Sequence, residues 1–187
     1  MRRRLFDFRP FSREQRTVIL ALMLLGSVLA YLGISRLVFR AGEVVGDSML
    51  PTLHDGEKYF INLLVYRLRA PRPGEIVALR LRGEETLAVK RVVALPGDVI
   101  QITDGAVFVN GRRLAEDYLP PLARTAGGAL GAAPYRVAEE CYFVLGDNRS
   151  HSEDSRSFGA VERRALVGRV SAGRQRKWRL RWSVPNV

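Results

Sequence analysis

The chain has 187 residues, 47% hydrophobic and 26% charged, a balance ordinary for a globular protein that excludes wholesale disorder. A formal net charge of +11, concentrated at Arg2, Arg3, Arg4, Arg9, Arg13 and Arg16 and again at Arg174, Arg176, Lys177, Arg179 and Arg181, raises binding to nucleic acid or an anionic membrane. Neither cluster lies in a helix-turn-helix, zinc-finger or RNA-recognition pattern, so nucleic acid is set aside as a partner. The single cysteine, Cys141, excludes an internal disulfide and a cysteine-built metal site, and no metal or cofactor is expected.

In chain order, residues 17–35 form an uncharged run rich in Leu, Ile, Val and Ala, long enough as a helix to cover a bilayer's hydrocarbon. The arginines before it predict an N-terminus held in the cytoplasm and a body sent across the membrane. A cleaved leader cut near Ala30 is the alternative, and the continuation of the apolar run past Ala30 favours an anchor. The expected division is a cytoplasmic basic segment (1–16), a transmembrane anchor (17–39) and an extracytoplasmic body (40–187).

The body reads as mostly β, with antiparallel hairpins. Strands are expected over 57–65, 75–79, 86–95, 99–103, 106–109, 141–145 and 165–170. Asp104-Gly105 and Asn110-Gly111 are tight-turn pairs, and the prolines and glycine of 69–74 mark a turn. Residues 123–134, small and glycine-rich, are expected to form a flexible surface insertion. At the C-terminus Trp178, Leu180, Trp182 and Val184 alternate with polar residues as a strand with one apolar face. The tryptophans and their arginines suit either a lipid interface or packing in the body.

Two segments carry candidate chemistry. Gly46-Asp47-Ser48-Met49-Leu50-Pro51-Thr52 reads as a presented serine hydroxyl, a weak nucleophile until a base takes its proton. The histidines are His54 and His151, so one alternative is a Ser-His-Asp set using His54, or His151 with Asp147 or Asp154. The other is a lysine kept from water. Of thirty basic residues only Lys58, Lys90 and Lys177 are lysines, and arginine does not serve as a base. Lys90 sits in an apolar strand, where desolvation disfavours the ammonium and lowers its pKa. Lys58 lacks such a run, and Lys177 lies in a basic tail.

These segments, with Pro73-Gly74-Glu75-Ile76-Val77, Lys90-Arg91-Val92-Val93-Ala94-Leu95-Pro96-Gly97-Asp98 and Gly146-Asp147-Asn148-Arg149-Ser150-His151-Ser152-Glu153-Asp154-Ser155-Arg156, resemble the ordered boxes of bacterial type I signal peptidases. The resemblance runs from the apolar segment to about Gly159. It implies an antiparallel β catalytic body behind one N-terminal transmembrane helix, with Ser48 as nucleophile and Lys90 as general base. It implies that Ser152 hydrogen-bonds and orients the lysine, that Asp154 and Arg156 form a structural ion pair, and that Asp147 and Arg149 belong to the same scaffold. Many members supply an oxyanion donor from a serine two residues before the nucleophile; this chain has Gly46 there, as other members do, which leaves the second donor unassigned.

Implied substrates are preprotein signal peptides ending in Ala-x-Ala, laid as an added strand against walls matched by Val44, Val45, Gly46, Met49, Leu53, Tyr59, Ala78, Ala88 and Val89. Implied surroundings are the cytoplasmic (inner) membrane's lipid bilayer and the protein export machinery. Rival readings are an esterase of the Gly-Asp-Ser type, a self-cleaving repressor and a membrane-tethered basic binding protein. The esterase wants a C-terminal histidine and an α/β pattern; the repressor wants a DNA-binding domain where the apolar run stands. Loss of cleavage on replacing Ser48 or Lys90 separates an enzyme from the binding protein.

Overall fold

The computed structural model describes residues 12–172. The strand expected at Trp178–Val184 lies outside the described residues. The chain divides into two units, Met1–Val38 and Phe39–Val187.

Among the described residues the first unit contains one helix, α1 (Arg13–Val38). It starts earlier than the apolar run because Ser12 and Gln15 form a reciprocal capping box. Gln15 N–H donates to Ser12 Oγ at 3.2 Å and Ser12 N–H to Gln15 Oε1 at 3.0 Å, satisfying backbone donors that have no partner within the helix. The stretch Arg13–Ser35 has a mean hydropathy of 2.3 and the length to cross a membrane. Its large apolar side chains between Val18 and Ile34 are exposed.

The second unit holds β1 (Phe39–Glu43), β2 (Lys58–Asn62), α2 (Val65–Leu68), β3 (Ile76–Leu79), β4 (Ala88–Ala94), β5 (Val99–Thr103), β6 (Ala106–Val109), β7 (Arg112–Arg113), β8 (Tyr135–Arg136), β9 (Cys141–Leu145), α3 (Ser155–Phe158), β10 (Val161–Glu162) and β11 (Leu166–Ala172). They form a seven-stranded sheet ordered β1-β2-β11-β3-β4-β9-β10 and a four-stranded sheet ordered β7-β6-β5-β8. The pairings are antiparallel, as the hairpin signals predict.

The core follows the two-residue strand period. In β9, Tyr142 and Val144 pack with Val77, Leu79 and Val92, while Phe143 and Leu145 join Ile100, Ile102 and Val107 of the small sheet. Central strands therefore bury both faces, which is why 76–79 and 141–145 read as unbroken apolar runs. A third cluster of Val44, Met49, Leu53, Tyr59, Ile61, Ala78 and Val170 lies under the serine segment.

Three expectations differ in detail. The strand expected to reach Val65 ends at Asn62, whose Oδ1 accepts from the N–H groups of Leu64 and Val65 at 3.0 Å each and starts α2. Phe39, placed in the anchor from hydropathy, opens β1 through pairing with Asn62, which local apolarity does not report. Residues 123–134 read as a flexible insertion, but Thr125 is only 3% exposed and its N–H donates to Gly105 O at 2.9 Å. A small-residue composition does not reveal that buried arginines elsewhere need acceptors there. Both turn pairs hold the left-handed backbone of tight hairpins, with φ of 53° and 80° at Asp104-Gly105 and 52° and 75° at Asn110-Gly111.

Gly168 sits at a register shift between β11 and β3, where an added Cβ would come within 2.3 Å of Asn62 O and 2.7 Å of Ile61 Cγ2. Gly168→Ala is expected to push β11 from β2 and cost about 1–3 kcal/mol, read as a lowered urea midpoint of the chain in detergent; an unchanged midpoint contradicts this packing.

Candidate active site

Ser48 is presented because its neighbours are anchored. Leaving β1, the chain folds into a turn in which Leu50 N–H donates to Asp47 O at 3.1 Å and Leu53 N–H to Met49 O at 3.0 Å. Met49 and Leu53, 1% and 0% exposed, fix this turn in the core, while Ser48 stays half-buried above them. From the other side Asn148 N–H donates to Ser48 O at 3.0 Å, and Asn148 Nδ2 to Asp47 O at 3.1 Å. No described residue accepts a hydrogen bond from the Ser48 N–H.

Lys90 reaches this hydroxyl from β4, between β3 and β9. Its Nζ donates to Ser48 Oγ at 2.9 Å, and the residue is 5% exposed. Burial lowers the lysine pKa below its ordinary value; Asp154, Glu153 and Glu84 pull it back up and Arg156 adds to the depression. A buried lysine amine thus lies at hydrogen-bonding distance from a serine hydroxyl, with its ammonium disfavoured relative to an exposed lysine.

Two buried arginine–carboxylate sets hold the surrounding loops. Asp147 takes Arg91 through both oxygens, Nε at 2.8 Å and Nη2 at 2.5 Å, and also accepts from Thr52 Oγ1 in the serine turn. Asp154 receives Arg156 Nε and Nη2 at 2.8 Å each and Gly146 N–H at 2.9 Å. Arg156 Nη1 donates to Arg149 O at 2.7 Å, and Arg149 donates to Gly146 O at 3.0 Å, to Thr125 Oγ1 at 2.7 Å and to Glu116. Such bidentate pairs position rigidly because the planar guanidinium fork matches a carboxylate.

The residues singled out from sequence are distributed unevenly. Val44, Val45, Met49, Tyr59, Ala88 and Val89 line one cleft of about 510 Å³ with Ser48 and Lys90. Leu53 and Ala78, both 0% exposed, lie in the core beneath it and do not line it. Gly46 has φ of 86° and its N–H donates to Asp55 Oδ1 at 2.7 Å. Ser152 Oγ makes no hydrogen bond with a described residue, so the bond to Lys90 implied by the resemblance is not formed. Its hydroxyl packs against Gly146, where an added Cβ would meet Ser152 Oγ at 2.1 Å and Ser48 O at 2.6 Å.

Neither histidine bonds Ser48: His54 Nδ1 lies 3.8 Å from Glu57 and His151 Nδ1 2.9 Å from Ser150 Oγ. The Ser-His-Asp alternative is therefore not assembled. Among the described residues no cluster of His, Cys, Asp or Glu is placed to hold a metal ion. Sequence reasoning assigned no role to Thr52, Arg91, Asn148, Glu116, Tyr118 or Thr125. The first three stand inside the quoted boxes, so their motif position was a usable signal; the last three carry none.

Burial raises the Asp154 carboxyl's pKa, but the Arg156 side chain, the Gly146 N–H and the Arg156 charge outweigh it and hold the group below its ordinary value. A depressed carboxyl contributes stability that is present above its unfolded value, about 3.9, and is lost as pH falls through the lower folded value. Asp154→Asn should flatten this acid dependence and cost about 3–5 kcal/mol at neutral pH by leaving Arg156 unpaired. Denaturant titrations at several pH values check both; a variant as stable as the parent at pH 7 contradicts the pairing.

Comparison with known proteins agrees with the geometry. The family model described as signal peptidase, peptidase S26, matches residues 15–173. A probable signal peptidase I-2 of Synechocystis is 36% identical over 167 residues, covering 86% of this chain and 71% of its own. A signal peptidase I of Bacillus amyloliquefaciens is 37% identical over 152 residues, covering 78% and 80%. A solved signal peptidase I from Enterococcus faecalis is 27% identical and covers 55% of this chain and 98% of its own, with a TM-score of 0.45. With a family match across most of its length, the chain belongs to the signal peptidase family, peptidase S26, as a serine endopeptidase of the signal peptidase I type that removes signal peptides.

Proposed function

We propose that Ser48 is the nucleophile and Lys90 the general base of a membrane-anchored peptidase that cuts exported preproteins after Ala-x-Ala. The observation that carries this is the 2.9 Å hydrogen bond between Lys90 Nζ and Ser48 Oγ, made by a lysine that is 5% exposed. Neutral Lys90 takes the Ser48 proton as Oγ attacks the scissile carbonyl carbon. The tetrahedral oxyanion collapses, the C–N bond breaks, and the lysine ammonium returns its proton to the leaving amine. Water then attacks the acyl-enzyme, with Lys90 again taking a proton and Ser48 recovering its own.

The Ser48 N–H is the first oxyanion donor, supported by its lack of an acceptor among the described residues. Ser152 takes no part in this mechanism, because its buried hydroxyl makes no hydrogen bond with a described residue. Asp154, Arg156, Asp147 and Arg149 act as scaffold through the bonds described above.

Small substrate side chains are favoured because the floor of the cleft is already filled. Met49, Leu53, Tyr59 and Ala78 are at most 5% exposed, which leaves shallow room between the 44–45 and 88–89 walls. An extended signal peptide would lie between these walls and hydrogen-bond through its backbone. Residues 17–38 anchor the chain in the cytoplasmic (inner) membrane, with the N-terminal basic segment inside and 39–187 as the extracytoplasmic catalytic domain. The exposed, all-round apolar surface of α1 supports a lipid setting, and the flanking arginines support the orientation. The export machinery would deliver the preprotein to that face.

Ser48→Ala and Lys90→Ala should each abolish cleavage of a model preprotein by folded protein in detergent, and Lys90→Arg should be inactive because arginine does not release its proton. His54→Ala and His151→Ala should cleave normally. Retained cleavage by Lys90→Ala would sink the dyad. Since burial depresses the Lys90 pKa, activity should rise with pH along a limb below an exposed lysine's value of about 10.4; a limb at or above that value contradicts a buried base.

Gly46→Ser is expected to bring no gain in kcat. At φ of 86° a serine is strained by about 1–2 kcal/mol and does not inherit the donor geometry of relatives with serine there. A faster variant would show that a hydroxyl at this position reaches the oxyanion.

A further inference from the structure

Tyr118 lies in the connection that leaves the small sheet after β7, outside every motif of the reaction. Its ring nevertheless receives the Arg91 guanidinium at 3.9 Å from the ring centroid. Its hydroxyl donates to Glu116 Oε1 at 2.9 Å and accepts from Arg149 Nη2 at 3.3 Å. One side chain from the small sheet's periphery thus touches the two arginines that organise the serine turn and the 146–149 loop.

Both arginines lead to Ser48 in few steps. Arg91 holds Asp147, Asp147 holds Thr52, and Thr52 closes the serine turn through its N–H to Met49 O at 2.8 Å. Arg149 holds Gly146 O at the start of the loop whose Asn148 N–H fixes Ser48 O. The Ser48 backbone is therefore gripped at its carbonyl and at the far end of its turn, and each grip ends on an arginine in contact with Tyr118.

Arg91 is in a setting where ring contact governs direction. Nε and Nη2 bond Asp147 and Nη1 bonds Gly74 O at 2.7 Å, so its edge is committed and its flat face is what Tyr118 covers. A cation over an aromatic face is attracted by the ring quadrupole, and an aliphatic side chain fills the volume without that attraction.

We propose that Tyr118 is a positioning residue for the Ser48 turn, acting through its ring on Arg91, so that the small sheet's connection takes part in setting the nucleophile. This rests on the reading of Ser48 and Lys90 as nucleophile and base. Positioning acts on the reacting geometry while leaving the cleft walls in place. Its loss lowers kcat and kcat/KM together with KM little changed.

The test compares Tyr118→Phe, Tyr118→Leu and Tyr118→Ala in the full chain in detergent, with a model preprotein ending its signal in Ala-x-Ala. Ser48→Ala and Lys90→Ala run in parallel; cleavage by either defeats the dyad reading whatever the Tyr118 variants do. Tyr118→Leu should lose about tenfold or more in kcat with KM within about threefold. Tyr118→Phe, which keeps the ring face, should return kcat to within about threefold of the parent. Thermal denaturation identifies folded variants; if Tyr118→Ala does not fold, the Leu and Phe pair decides. Equal kcat for Leu and Phe, or a loss seen in KM alone, overturns the proposal.

Discussion

A lysine taken out of water is the constraint on which the rest of the structure depends. The base role proposed for Lys90 needs its ammonium disfavoured, which burial supplies, yet an unpaired buried charge is destabilising. The fold meets both demands by putting Lys90 in an inner strand of a sheet whose faces are covered and by giving its nitrogen the Ser48 hydroxyl at 2.9 Å. Asp154, Glu153 and Glu84 temper the depression. The lysine's setting thus balances opposing effects: burial that disfavours its ammonium and carboxylates that favour it.

Around that lysine the protein spends its arginines on geometry. Arg91, Arg149 and Arg156 are at most 8% exposed and each donates through all three guanidinium nitrogens to carboxylate, carbonyl or hydroxyl acceptors. None can act as a base, so they can stand close to Lys90 without competing for the role proposed for it. The acceptors come from distant parts of the chain: Asp147 and Asp154 from the loop after β9, Gly74 from the turn before β3, Thr125 and Glu116 from the connections of the small sheet. The two sheets are joined at the site by these bonds as well as by the shared apolar cluster of Phe143 and Leu145 with Ile100 and Val107.

Much of this was legible in residue patterns. Alternation and unbroken apolar runs located the main strands, the Asp-Gly and Asn-Gly pairs located both tight hairpins, and the scarcity of lysine pointed to Lys90. Features set by side chains meeting across long separations were not legible. Asn62 ends β2 by accepting backbone N–H groups, Thr125 is drawn under by Arg149, and Leu53 and Ala78 belong to the core beneath the cleft and not to its lining. Ser152 illustrates the limit of motif transfer: its position matches the family pattern, but its hydroxyl lies against Gly146 and bonds no described residue.

By itself the sequence determined the chemistry available: one presented serine, three lysines of which one sits in an apolar strand, two histidines outside any such setting, and a long uncharged N-terminal run. These are local properties, set by composition and period within a few residues, and local context suffices to read them. Only the tertiary structure decided that Ser48 and Lys90, forty-two positions apart, meet at hydrogen-bonding distance while both histidines stay away. It also decided that Tyr118 reaches the arginines behind Ser48. Such contacts depend on how strands order themselves in the two sheets, and that order is set by burial of both faces at once, which no single stretch of chain encodes.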